Sequence, residues 1–329
     1  MVRAIALLAV AVCVLWPGQA HAFDCAKAST KTEKLICADS KLKQADDDLG
    51  RAWAKTRELI SADDFKSLLA NQRAWLRERD QRCGYGVDGE RIECLMRMML
   101  ERHGIVSATA AAGPGPDAKL IPFALQQEGS KTAYGISVAG IRFADPQRPG
   151  EQVFNEAMDA LIADAPFNEK IDSEMPVLLT YNQSISLTYA SPNLVSALVN
   201  TDRYDGGAHP NYFFSAINIS PDAGELSTDM LFPSSAKVDL AQTCENELFS
   251  KGTDEALSAA ERKERLNPDY EKVIATAADT LSVWTFHADG ARIHFSPYEL
   301  SSYAAGAFEC RLPLKVLRGL SMSHEFLPQ

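Results

Sequence analysis

Apolar positions recur at helical spacing through the first third of the chain and alternate, or run together, through most of the rest. Thr30-x-x-Glu33 has the form of a capping box, so a short helix is expected to open there and to end near Cys37. Leu42, Ala45, Leu49, Ala52, Trp53, Thr56 and Ile60 keep the helical period for about five turns. Ser61-x-x-Asp64 caps a third helix, carried by Phe65, Leu68, Leu69, Gln72, Trp75, Leu76 and Arg79. Cys83-Gly84-Tyr85-Gly86 stops it, and a fourth helix follows from about Gly89 with Ile92, Leu95, Met96, Met99 and Leu100 on one face.

The pattern changes after Ser107. Residues 107–119 read S-A-T-A-A-A-G-P-G-P-D-A-K, a linker composition. Beyond it, Tyr134–Phe143, Val177–Ala190, Leu194–Thr201 and Tyr212–Ile219 read as strands, and Glu151–Ala163, 236–251 and 268–279 as helices. Trp284–His287 and Arg292–Phe295 flank an Asp289-Gly290 hairpin turn, and F-E-C-R-L-P-L-K-V-L reads as a last strand. The expected fold is therefore α+β in two domains. A small all-α domain over residues 23–106 is followed by the linker 107–119 and an α+β domain over 120–329. In that second domain short turns favour antiparallel pairing, with helices packed on one face.

Composition adds a compartment. Residues 1–22 combine Arg3, an apolar run from Ile5 to Trp16 and Ala20-His21-Ala22, the signature of a secretory signal peptide cleaved near Ala22. Cys13 as a lipid anchor is disfavoured because Val12 stands where a small residue is wanted. No later run approaches the length of a membrane span, so a soluble periplasmic or secreted product is expected. Six cysteines remain after cleavage, an even number suited to an oxidising compartment. The short connection between the second and third helices predicts an antiparallel hairpin with Cys37 and Cys83 at neighbouring ends. That favours Cys37–Cys83 and leaves Cys25–Cys94, although four cysteines allow three pairings. Cys244 and Cys310 are expected to bond to each other. The spacing lacks the C-x2-C knuckle of a zinc site.

Charge then divides the chain. Residues 23–104 carry 16 Lys+Arg against 15 Asp+Glu, whereas residues 105–329 carry 16 against 29. An acidic second half argues against nucleic acid or anionic lipid as a partner and suits a cationic one.

Two resemblances follow. F-D-C-A-K-A, E-K-L-I-C-A-D, N-Q-R-A-W-L-R-E-R-D-Q-R-C and E-C-L-M-R-M-M-L-E-R together resemble the LprI-type lysozyme-inhibitor family over residues 23–104. One departure is Met98 or Met99, where that family would place a tyrosine. Y-D-G-G-A-H-P-N-Y-F-F-S-A-I-N-I, S-T-D-M-L-F and F-S-P-Y-E-L-S-S-Y-A-A-G-A-F-E-C-R-L-P-L resemble the extracytoplasmic domain shared by the RsiV anti-sigma factor and peptidoglycan deacetylases, over about residues 120–325. In RsiV that domain is a receptor for lysozyme. The chain shows neither the membrane helix of the one nor the catalytic domain of the other.

Chemistry is sparse by comparison. His209, His287, His294 and Glu299 have no metal-ligand spacing, and no nucleophile elbow, phosphate loop or dinucleotide motif occurs. Neither an enzyme nor a cofactor is expected. Trp75 reads as core, and Arg73, Arg77, Arg79 and Arg82 as a solvated helix face. Binding is left, and the candidates are Tyr204, Asp205, His209, Asn211 and Tyr212 in one loop and Tyr298, Glu299 and Tyr303 in another, because tyrosine-rich loops offer rigid amphipathic contact. The combined expectation is an exported, non-enzymatic protein that binds lysozyme-type muramidases and occludes their cleft. The alternatives are an envelope module for peptidoglycan or another cell-wall enzyme, and a hydrolase acting on cell-wall glycan.

Overall fold

The computed structural model describes residues 24–171, 177–249 and 258–329. The expected signal peptide, its cleavage point and Cys13 lie outside the described residues, as does the end of the helix expected over 236–251.

Four helices open the chain: α1 (Lys31–Ala38), α2 (Ser40–Leu59), α3 (Ala62–Arg82) and α4 (Asp88–Ser107). Their starts are fixed by side chains that satisfy the free N–H groups of the first turn. Thr30 Oγ1 accepts from Glu33 N–H at 3.1 Å, and the Glu33 carboxylate accepts from Thr30 N–H at 2.9 Å. Those backbone donors hold the Glu33 carboxyl down at about 2. Asp39 Oδ1 accepts from Lys41 and Leu42, and Ser61 Oγ from Asp64. Ile36, Leu42, Ala45, Cys83, Leu95 and Met99 form the core of this region.

The hairpin of α2 and α3 does not pack as its short connection predicts. α2 lies chiefly along α4, while α3 leans onto a β-sheet, where its fully buried Leu68 meets Ile105, Ala124 and Ala139. The disulfide expectation fails with it. Cys25 bonds Cys37 and Cys83 bonds Cys94, with Cα–Cα distances of 5.8 and 5.6 Å, in place of Cys37–Cys83 and Cys25–Cys94. Each bridge closes a local loop, the first across α1 and the second across the α3–α4 turn.

The sheet that receives α3 has six strands in sequential order: β1 (Leu120–Gln127), β2 (Gly135–Phe143), β3 (Thr180–Ala190), β4 (Val195–Tyr204), β5 (Asn211–Ser220) and β6 (Gly224–Glu225). Sequence periodicity missed β1, whose Pro122 is tolerated because it is an edge strand. All pairs are antiparallel except β2 with β3, which are joined through the crossover helix α5 (Pro149–Ala163). Helices cover both faces, not one. Phe154 and Met158 of α5 share a core with Ile136 and Val138, whereas the next β2 residue, Ala139, meets Leu68 and Ile105 on the other side. Residues 107–119 are laid against β3. Ala111 N–H donates to Leu187 O, Ala190 N–H to Ala112 O, and Gly115 N–H to Ala190 O. Gly113 approaches so closely that a Cβ would sit 2.1 Å from Ala190 O, at a φ of +89°.

A second sheet holds β7 (Trp284–His287), β8 (Gly290–Phe295) and β9 (Phe308–Pro313). Around it lie α6 (Thr228–Leu231), α7 (Ala236–Phe249), α8 (Ala259–Arg265), α9 (Tyr270–Ala278) and α10 (Leu314–Leu320). The expected last strand is corrected here. It stops at Pro313, which has no N–H to continue a ladder and stands at the N-cap of α10, where Leu317 is buried. Cys244 of α7 bonds Cys310 of β9 in a core that includes Trp284 and Phe286. The two sheets are joined by buried hydrogen bonds. Asn218 Nδ2 donates to Leu281 O and Trp284 O, and Phe286 N–H donates to Ser196 Oγ.

Candidate binding site

α3 and α4 cover only part of the sheet face on which they rest. Beyond Ala139 the exposed side of the sheet carries two rungs of side chains, set by strand register. One runs Ser137, Asn182, Asp202, Tyr212; the next runs Ala139, Ser184, Asn200, Phe214. These residues floor a cleft of about 690 Å³. Amide, hydroxyl and carboxyl groups stand where a packed face would be apolar.

The helical wall of the cleft is ionic. Arg82 pairs with Glu78 on its own helix at 2.9 Å and reaches Asp202 on β4 at 3.1 Å. Glu101 accepts from Ser184 Oγ at 2.6 Å. Arg102 is buried over Trp75 and Trp53, and donates through Nε to Gln72 Oε1 and through Nη1 to Asn71 Oδ1. Burial pulls the Arg102 guanidinium down to about 9 against the pull of Glu101 and Glu78. Burial pushes the Glu78 carboxyl up, with Arg82 opposing. The expected solvated arginine face is thus corrected at two positions. Arg79 is buried beside Trp75 and Asp80, and Arg82 spans to the sheet. Periodicity cannot find the Arg82–Asp202 pair, because Asp202 lies on a strand far along the chain.

The opposite rim is built by two loops, 205–210 and 296–306, and these bring several of the candidate residues together. The His209 ring stacks on Tyr303 with centroids 3.6 Å apart and planes 14° from parallel. Tyr303 lies 5.6 Å from Tyr298 and 6.0 Å from Tyr212, and Tyr212 lies 5.8 Å from Phe214. Tyr303 Oη donates to Pro210 O at 2.7 Å, which ties one loop to the other. Aromatic rings therefore run from the rim into the cleft. Tyr298, more than half exposed, has a φ of +72°, a conformation that a bulky residue adopts only under constraint. Asn267 Nδ2 supplies that constraint by donating to the carbonyls of Tyr298 and Glu299 at 2.6 and 3.0 Å.

The other candidates serve the loops themselves. Tyr204 Oη donates to Gly207 O at 3.0 Å. Asp205 accepts from Tyr134 Oη at 2.6 Å and from Arg203 Nε at 2.7 Å, away from the aromatic group, and these two partners keep its carboxyl low despite burial. Glu299 accepts from Ser296 N–H, and Asn211 is exposed opposite Arg203. His287 and His294 share the Thr285 hydroxyl at 2.9 and 2.7 Å on the second sheet, and burial lowers both to about 4, so both are neutral at pH 7. Among the described residues no group of three or more His, Cys, Asp or Glu is placed to hold a metal ion, and no helix is long and apolar enough to cross a membrane.

Two solved structures are similar in outline. A DUF3298 family protein from Pseudomonas aeruginosa is 16% identical, with 66% of this chain and 100% of that chain covered at a TM-score of 0.44. A DUF3298 family member from Bacteroides fragilis is 14% identical, with 63% and 95% covered at a TM-score of 0.42. No curated protein matches the chain. Family models match two separate stretches on either side of the six-stranded sheet: residues 25–104 are recognised as "Lysozyme inhibitor LprI", and residues 231–315 as "Protein of unknown function (DUF3298)".

Proposed function

We propose that this chain is an exported, non-enzymatic protein that binds lysozyme-type muramidases and inhibits them by occluding the active cleft. The observation that carries the reading is the match of residues 25–104 to a lysozyme-inhibitor family. Three disulfides agree with export into an oxidising compartment. The excess of 29 acidic over 16 basic residues in 105–329 supports a strongly basic partner, since opposite net charge speeds encounter and orients it. The His209–Tyr298–Tyr303 group supports the rim as the contact surface. Its rings are already stacked and tied, so little side-chain entropy is lost on docking.

The test is binding of the full exported chain to an immobilised basic lysozyme at low ionic strength. Saturable binding is expected, weakening as salt is raised because screening shortens the Debye length to about 8 Å at physiological ionic strength. Tyr298→Ala should weaken it about tenfold or more if the rim is the contact. Absence of saturable binding at low salt would contradict the reading, and salt-independent affinity would remove the electrostatic part of it.

A further inference from the structure

The cleft between α3–α4 and the sheet has a chemistry that capture of a folded basic protein does not use. Its volume of about 690 Å³ falls in the range of small-molecule sites, about 300–1,000 Å³. Its fixed charges nearly cancel, with Arg82, Arg97 and Arg102 set against Glu78, Glu101, Asp202 and Glu309. An anion entering it would meet four carboxylates, and a cation three guanidinium groups. Two of its polar groups have no hydrogen-bond partner among the described residues although they are shielded from solvent: Nη2 of Arg102, a side chain 2% exposed, and Oδ1 of Asn200. Atoms closed to water are closed to a ligand as well, so recognition falls to the groups that face the open cleft. Around them Asn182 and Asp202 present further amide and carboxyl groups, and the rings of Trp75, Tyr212 and Phe214 present apolar surface.

We infer that this cleft binds an uncharged, hydroxyl- and acetamido-bearing saccharide, a short stretch of N-acetylated glycan. Sugar hydroxyls donate and accept, which matches a floor of mixed amides, hydroxyls and carboxylates. An acetamido group offers a carbonyl and an N–H to the side-chain amides of Asn182 and Asn200, which stand on neighbouring rungs of the cleft floor. The aliphatic faces of the sugar rings lie against the aromatic side chains. The site is distinct from the proposed lysozyme contact, so one can fail without the other.

Titration calorimetry of the full chain with the tetramer of N-acetylglucosamine, in the absence of any lysozyme, tests the inference. Tetraglucose with the same linkage is the control that lacks the acetamido group. Saturable binding of the acetamido tetramer is expected, at least tenfold tighter than the control. Asn200→Ala and Asn182→Ala are each expected to weaken it by about tenfold, the effect of one lost hydrogen bond made in a desolvated site. Circular dichroism melting of both variants confirms that they are folded. No binding of either tetramer, or binding unaffected by both cleft variants, would overturn the site. Equal affinity for the two tetramers would overturn the acetamido specificity.

Discussion

Asp46 shows what a single buried charge does to this fold. It sits on α2 with 9% of its surface exposed, and burial raises its carboxyl to about 6, with Arg79 pulling the other way. In the unfolded chain the same group titrates near 3.9. Below that value it is protonated in both states and contributes nothing to pH dependence. Between the two values the folded state holds the proton more tightly, so stability falls as pH rises through 6. Asp46→Asn should therefore raise stability at pH 7.5 by about 1–2 kcal/mol, and the gain should vanish by pH 4. Thermal melts of the two proteins at both pH values measure this directly. A gain that persists at pH 4 would assign the effect to packing instead of charge. Arg102 is a different case, because its burial is offset by two hydrogen bonds and two indole rings, and no comparable gain is expected from removing it.

At the scale of elements, the three disulfides differ in what they constrain. Cys25–Cys37 and Cys83–Cys94 close loops of sequence separation 12 and 11, whereas Cys244–Cys310 spans 66 residues and fastens α7 to β9. Loop-closure entropy then assigns about 3 kcal/mol to each local bridge and about 4 to the long one. Urea unfolding of Cys25→Ser/Cys37→Ser and Cys244→Ser/Cys310→Ser double variants should show the larger loss for the second pair, and a larger loss for the first would point to structure retained in the unfolded chain. The same contrast explains what was legible in advance. Capping residues such as Thr30 and Ser61, and the Asp289-Gly290 turn, act within four residues of themselves, so their elements could be read directly. Which helix α2 packs against depends on Leu68 preferring the sheet to its own hairpin, and no local pattern carries that. The disulfide pairing inherited the same error. β1 was missed because Pro122 breaks the strand signal that an edge position tolerates.

Over the whole molecule, the two family-matched stretches flank a six-stranded sheet that both of them touch. Leu68 and Ile105 seal α3 and α4 to the sheet, while Asn218 and Ser196 tie it to the second sheet. The aromatic rim was partly legible, since the tyrosines of two loops could be singled out by composition, and the fold brings His209, Tyr212, Tyr298 and Tyr303 together. The cleft was not. Asn182 and Asn200 look like solvent-facing strand positions until register aligns them, and Arg82 and Arg102 look like surface charges until α3 and α4 lie over the sheet. Inhibition of a basic muramidase, the role proposed for this molecule, is measured directly as the rate at which such a lysozyme clears a suspension of bacterial cells as the full chain is added. Clearing should slow in proportion to dose and stop near one chain per enzyme at concentrations above the dissociation constant. Undiminished clearing with the chain in excess would contradict it.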